Sequence, residues 1–380
     1  MAVAENDSNP NTRAQSDSSE REEVRPGPSS LRIAGLDLAR GIAVLNMIII
    51  NFVFTMAGDP GGLMYAITYV SERPFACAFV MLAGVGVSLA GSDPQRIPEV
   101  RVTVLRRALF FILLGYSWIP IWDGDILHFF GFYMAIGCIF LARPSSWLWH
   151  VSGWCVAGFV ALYVSWNYWY NWDMADLAYY GFWTPMGQLR NLLFNGFHPL
   201  LPWLGFYLVG MWLGRQKLAD PRVRWRLGLV GFEVFAISFV LSLLILDRFD
   251  ANLGDLLEYH PYLATLRELF STELIPPSPF FVMSAGGFSV AFIMACLWIA
   301  ERAPRAVWPL VATGQLAFTL YMGHILLGIW PLEDTDEGMA DPEVFLRVGA
   351  FIVGSVIFSV LWRRFFARGP LEWVMRRLCG

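Results

Sequence analysis

Ten apolar stretches, at roughly 38–57, 74–91, 104–121, 126–142, 147–166, 199–214, 227–247, 279–300, 308–330 and 345–366, dictate what this chain can fold into. Each approaches the ~20 residues a helix needs to cross a bilayer. Hydrocarbon offers no partner for backbone N–H and C=O groups, so such segments must satisfy them internally, as helices. The charges between the stretches are sorted. Arg96, Arg101, Arg106 and Arg107 follow the second stretch, Arg143 the fourth, and Arg215, Lys217, Arg222, Arg224 and Arg226 the sixth. Arg302 and Arg305 follow the eighth, and Arg363, Arg364, Arg368, Arg376 and Arg377 the tenth. The remaining connections carry mostly carboxylates, among them Asp123, Asp125, Asp173, Asp250 and Glu333. Basic loops stay in the cytoplasm, which predicts both termini inside and the acidic loops outside. The expected fold is all-α: a polytopic bundle of about ten transmembrane helices in the cell membrane.

Composition points the same way. Hydrophobic residues make up 56% of the 380 and charged residues 15%, and the mean hydropathy is +0.51, outside the range of ordinary soluble domains. The net charge of −4 carries little information, because its two signs are segregated; nothing here calls for nucleic acid. Trp118, Trp122, Trp147, Trp149, Trp203, Trp308 and Trp330 fall near the expected helix ends, where indoles suit the headgroup layer. Of the five cysteines, four lie inside apolar stretches and none forms a CxxC pair, so neither a disulfide framework nor a zinc motif is expected.

Residues 1–30 are polar and poor in bulky apolar side chains, the composition of a disordered tail. Residues 31–378 form the membrane domain. Two outer connections are long. Residues 167–198 hold Trp169, Tyr170, Trp172, Tyr179, Tyr180, Phe182 and Trp183; residues 248–278 read as an amphipathic helix from Leu256 and a Pro-rich return, IPPSP, from Ile275. Loops of that length are usually functional or disordered, and their apolar content predicts lid-like elements on the outer face.

Ionisable side chains inside spans are costly and so become functional candidates. Asp37 and Arg40 open the first helix at the cytoplasmic face. Asn51 lies roughly 20 Å further along at ~1.5 Å per residue, in the outer half. Arg73, Asp125, His128 and His198 fall at outer helix ends, Gln315 near mid-span, and Tyr321 and His324 in the outer half. Three histidines at one depth have the chemistry of a proton-handling site, and no HxxxH or HxxE pair marks a metal site. The plainer readings stand beside these: Asn51 as interhelical glue, Asp37–Arg40 as an anchoring pair, and His128, His198 and His324 as structural hydrogen bonders. The small-residue runs from Gly84 and Gly210 read as close helix-packing surfaces.

The segment RIAGLDLARGIAVLNMIIIN, from Arg32 to Asn51, resembles the opening helix of the transmembrane acyltransferase superfamily, which includes heparan-α-glucosaminide N-acetyltransferase and YeiB-like bacterial proteins. The similarity continues through AFVMLAGVGVSLAG from Ala78, GDILHFFGFYMAIG from Gly124, HPLLPWLGFYLVGMWLGR from His198, GQLAFTLYMGHILLG from Gly314 and ARGPLEWVMRR from Ala367. It implies transfer of an acetyl or other short acyl group from cytoplasmic acyl-CoA to an outer hydroxyl or amine of a sugar, glycolipid or envelope acceptor. Asn51 matches an active-site asparagine of the heparan enzyme. That enzyme's catalytic histidine follows in the first outer loop, which here, from Thr55, has none. His128 takes its place as general base, with His324 second. Asp37, Arg40, Arg73, Asp125, His198, Gln315 and Tyr321 are then substrate-binding, and Arg101, Arg106, Arg107 and Arg215 offer CoA an arginine-rich face, although membrane topology explains the same arginines. The expected partners are membrane lipids and a sugar or envelope acceptor, with a homodimer as the candidate assembly. A proton-coupled transporter or flippase is the rival reading.

Overall fold

The computed structural model describes residues 28–56, 74–173, 178–257, 259–329 and 341–380. The tail expected over 1–30 lies almost wholly outside them, as do Arg73 and residues 57–72 of the first outer loop. Every one of the ten apolar stretches is helical. In chain order the helices are α1 (Pro28–Met56), α2 (Pro74–Ala90), α3 (Ile97–Trp118), α4 (Leu127–Gly137), α5 (Ser145–Ser165), α6 (Pro185–Arg190), α7 (Leu200–Gly214) and α8 (Pro221–Leu257). They continue as α9 (Pro261–Glu268), α10 (Pro279–Arg302), α11 (Pro304–Gln315), α12 (Ala317–His324), α13 (Asp341–Phe365) and α14 (Pro370–Cys379). A two-stranded antiparallel hairpin, β1 (Trp172–Asp173) with β2 (Ala178–Tyr179), pairs Trp172 with Tyr179. Proline opens many of these helices, at a position where its missing N–H is no loss. Thr184 and Ser278 cap α6 and α10, accepting from the N–H of Gly187 and Phe281.

The protein is therefore an all-α polytopic membrane bundle, but its crossings are less uniform than ten straight spans. Five helices are long and apolar enough to cross alone, and three bent pairs qualify together, giving up to eight crossings by length and composition. The bends are 104° between α2 and α3, 49° ahead of α7 and 64° between α11 and α12. The expected amphipathic helix from Leu256 is also displaced. Helix α8 runs on to Leu257, and α9 starts only at Pro261, because proline is tolerated in the first turn and not in a helix interior.

Backbone-close packing sets the bundle geometry. A Cβ on Gly84 would lie 2.1 Å from the Tyr207 carbonyl oxygen, and one on Gly210 would lie 2.0 Å from that of Met81. The two small-residue runs thus pack α2 directly on α7, as expected. A second crossing was not anticipated: a Cβ on Gly41 would meet Leu310 O at 2.1 Å, and one on Gly314 would meet Asp37 O at 1.8 Å. It clamps α1 against α11. Arg224, 5% exposed, pairs through both guanidinium nitrogens with Glu301, tying the start of α8 to the end of α10.

Candidate active site

Two cavities of similar size back onto each other inside the bundle. The first, about 680 Å³, lies at the end carrying the arginines and is lined by Arg40, Arg96, Arg107, Gln315, Glu372 and Arg376 over an apolar floor. The second, about 660 Å³, lies toward the acidic connections and is lined by Asn46, Asn51, Trp122, Asp123, His198 and Glu273. Ile126 and Tyr321 belong to both walls. The Tyr321 hydroxyl accepts from the Ile126 N–H (3.4 Å) and donates to Asp125 Oδ1 (3.2 Å). One phenol and one turn of chain form the partition.

Asp125, fully buried, organises this point. Its Oδ2 accepts from the N–H groups of Leu127 (2.9 Å) and His128 (3.3 Å), capping α4, and lies 3.3 Å from His128 Nδ1. An ionised carboxylate can only accept, so Nδ1 is the nitrogen that carries a proton toward it, and in the neutral imidazole Nε2 keeps its lone pair. That Nε2 is buried with no partner among the described residues. His128 lines a recess of about 260 Å³ whose walls include Tyr179, Tyr180, Phe182 and Trp183. Aromatic residues of the 167–198 connection therefore form a wall of this recess. Ile119, Asp123 and Phe197 line both this recess and the second cavity, and burial raises the Asp123 carboxyl above its ordinary range. Glycine is required behind the pair: a Cβ on Gly115 would lie 2.3 Å from His128 N and 2.8 Å from Asp125 Oδ2.

The other sequence candidates divide. His324 is fully buried and places Nε2 3.0 Å from Asn51 Nδ2; it stands behind the asparagine, not on a cavity wall. His198 reaches the second cavity, its ring 4.6 Å from that of Trp203 and its Nδ1 unpartnered among the described residues. The three imidazoles thus share a neighbourhood but not one pocket. Asp37 accepts from Arg40 (2.6 Å) and from Gln315 Nε2 (3.1 Å), which places Arg40 and Gln315 together on the first cavity. Of the four arginines expected for CoA, only Arg107 lines it. Arg101 donates to the Cys138 carbonyl, and Arg215 to those of Phe140 and Arg143, satisfying the carbonyls left open at a helix end. Arg106 does not reach that cavity, whereas Arg96 and Arg376 do.

Glu372 was missed. Its Oε1 accepts from the N–H groups of Phe318 (2.8 Å) and Thr319 (3.1 Å), and its Oε2 from the Thr319 hydroxyl (2.5 Å). A carboxylate from α14 thereby caps α12 at the break, and α12 carries Tyr321 and His324. The signal was present: Glu372 is the single carboxylate among five arginines from Arg363 to Arg377. Glu372→Ala is expected to cost about 2 kcal/mol, and Glu372→Gln much less. Thermal unfolding in detergent checks this; equal melting of the two variants would contradict it.

Among the described residues, no group of three or more His, Cys, Asp and Glu is placed to hold a metal ion. A family model described as the catalytic region of heparan-alpha-glucosaminide N-acetyltransferase matches residues 32–245. A second, described as a protein of unknown function (DUF418), matches residues 221–380. The uncharacterized protein YeiB of Escherichia coli (strain K12) is 23% identical over 395 residues, spanning 90% of this chain and 95% of that protein. Fold and matches together define a membrane protein of the acetyltransferase class. The chain belongs to the heparan-alpha-glucosaminide N-acetyltransferase catalytic family.

Proposed function

We propose that this protein moves an acetyl or other short acyl group from cytoplasmic acyl-CoA to a hydroxyl or amine on the far side of the cell membrane. The observation that carries the reading is the Asp125–His128 pair: Asp125 holds Tyr321, a wall of both cavities, and His128 keeps an Nε2 unpartnered among the described residues. The arginine-lined cavity is the donor side: Arg96, Arg107 and Arg376 suit the phosphates of CoA, and the apolar floor suits a pantetheine arm. The second cavity and its aromatic recess are the acceptor side.

His128 Nε2 takes the proton of the acceptor X–H as X attacks the thioester carbonyl. An Asn51 N–H not engaged by His324 stabilises the oxyanion. The C–S bond then breaks, and the thiolate recovers the proton from His128, giving X–acyl and CoA thiol. Asp125 stabilises the imidazolium in between and holds Tyr321 at the crossing point.

Purified protein in nanodiscs containing acetyl-CoA tests the reading by release of CoA thiol. Arg107→Gln is expected to raise KM for acetyl-CoA about tenfold, as loss of one charge-assisted contact of ~1.4 kcal/mol would, with little change in kcat. Absence of any acyl-CoA binding or turnover, together with proton-coupled solute uptake in liposomes, would favour the carrier reading instead.

A further inference from the structure

A fourth cavity, of about 700 Å³, lies on the opposite face of α1 and is used by none of this chemistry. Its walls are Phe52 and Met56 of α1, Leu320 and Gly323 of α12, and Phe351 and Gly354 of α13. Two of its three glycines are not there for close packing. A Cβ on Gly323 or Gly354 would meet nothing within 4 Å, whereas one on Gly328 would lie 2.2 Å from the Phe52 ring. Glycine inside a helix is unfavourable relative to alanine, so Gly323 and Gly354 keep a hollow rather than a contact.

The hollow has the length of one leaflet. From Arg347 to Phe358, both on its wall, α13 covers roughly 16 Å at ~1.5 Å per residue, and half of a ~30 Å hydrocarbon core is about 15 Å. Helix α13 is an apolar span only 22% buried in the bundle, so the groove faces hydrocarbon. Its charge sits at one end: Arg347 pairs with Glu343, a half-exposed carboxylate at 2.7 Å, through one guanidinium nitrogen and has further donors for an anion at the rim. The same end carries Met56 and Leu327. One turn of α1 connects it to the acceptor side, because Asn51 and Thr55 line the second cavity while Phe52 and Met56 line the groove.

We infer that this groove holds one hydrocarbon chain of a membrane lipid with an anionic headgroup, and that the acyl acceptor is carried on such a lipid. The inference rests on the acyltransferase reading and narrows its acceptor to a lipid-borne one. The chain lies along α13 with the head near Arg347. The group to be acylated turns around the end of α1 into the second cavity.

The test uses full-length protein in nanodiscs doped with phosphatidylglycerol bearing a diazirine on one acyl chain. Crosslinks mapped by mass spectrometry are expected at Phe351, Leu320 and their groove neighbours, and to fall at least fivefold in Gly354→Leu, which fills open space. Arg347→Gln should reduce them for phosphatidylglycerol and not for phosphatidylcholine. With radiolabelled acetyl-CoA and a total lipid extract, Gly354→Leu should raise KM for the lipid acceptor about tenfold, against less than about twofold for KM of acetyl-CoA. Crosslinks spread evenly over Val353 and Ile357 on the lipid-facing side, or a Gly354→Leu protein indistinguishable from wild type, would overturn it. If no acetyl chemistry occurs at all, the acyltransferase reading fails, and the crosslinks alone decide whether the groove binds lipid.

Discussion

A His128→Gln protein is expected to fold, to bind acetyl-CoA and to transfer acetyl groups about 10²–10⁴-fold more slowly than wild type. Glutamine keeps the size and polarity of the side chain but cannot accept a proton at neutral pH. Asp125→Asn should fall in the same range for a different reason. An asparagine oxygen in the place of Oδ2 still accepts from Leu127 N–H and from His128 Nδ1–H, so the cap, the fold and the tautomer survive. The amide carries no charge, however, and no longer stabilises the imidazolium that forms as His128 takes the proton. Its NH2 group also replaces the oxygen that accepts from the Tyr321 hydroxyl. Rates of thiol release and of labelled acetyl transfer, measured with saturating donor, check both variants: kcat should drop with KM for acetyl-CoA nearly constant. Full activity in either variant would remove His128 from the mechanism.

The second large effect is on stability. Gly314→Val is expected to cost at least about 3 kcal/mol, because its Cβ would lie 1.8 Å from the Asp37 carbonyl oxygen and 2.8 Å from Gly41 N. Neither is the end of a flexible side chain. Relief requires α1 and α11 to separate, which also breaks the Gln315–Asp37 hydrogen bond. Gly349→Ala, inside α13 where nothing lies within 4 Å, is the control and should lose no stability, gaining at most about 1 kcal/mol from helix propensity. Thermal unfolding of both in the same detergent settles the contrast, and a Gly314→Val protein as stable as the control would refute the clamp.

Helices were the easy part to read, because hydrocarbon permits so few alternatives. All ten apolar stretches formed, and the aromatic connection after α5 did become a wall of the site. Breaks in the helices were less visible. The 64° bend at Leu316 has no proline or glycine at the break itself; it is stabilised by Glu372, which is distant in sequence. The Asp37–Arg40 pairing was legible because its partners are local; Asp125 with His128, equally local at three residues' separation, went unread. Asn51 with His324, 273 residues apart, and Tyr321 with Asp125 are products of the tertiary fold. The arginines misled most. Charge sorting explains why they occupy one end, but it carries no information on which point into a cavity. Arg101 and Arg215 spend their donors on helix-end carbonyls, while Arg96 and Arg376, read only as topology, reach the cavity.

The shared wall of Tyr321 and Ile126 has an electrical meaning. A membrane that stores energy as a proton gradient cannot tolerate a water-filled bore from one face to the other. Chemistry that joins reactants from both sides needs them within bonding distance at one point. On the proposed acyl-transfer chemistry, two chambers meeting at a phenol satisfy both demands: an acyl carbon has only a side chain's breadth to travel, and the insulating layer is kept by Tyr321, which the carboxylate ordering His128 also holds.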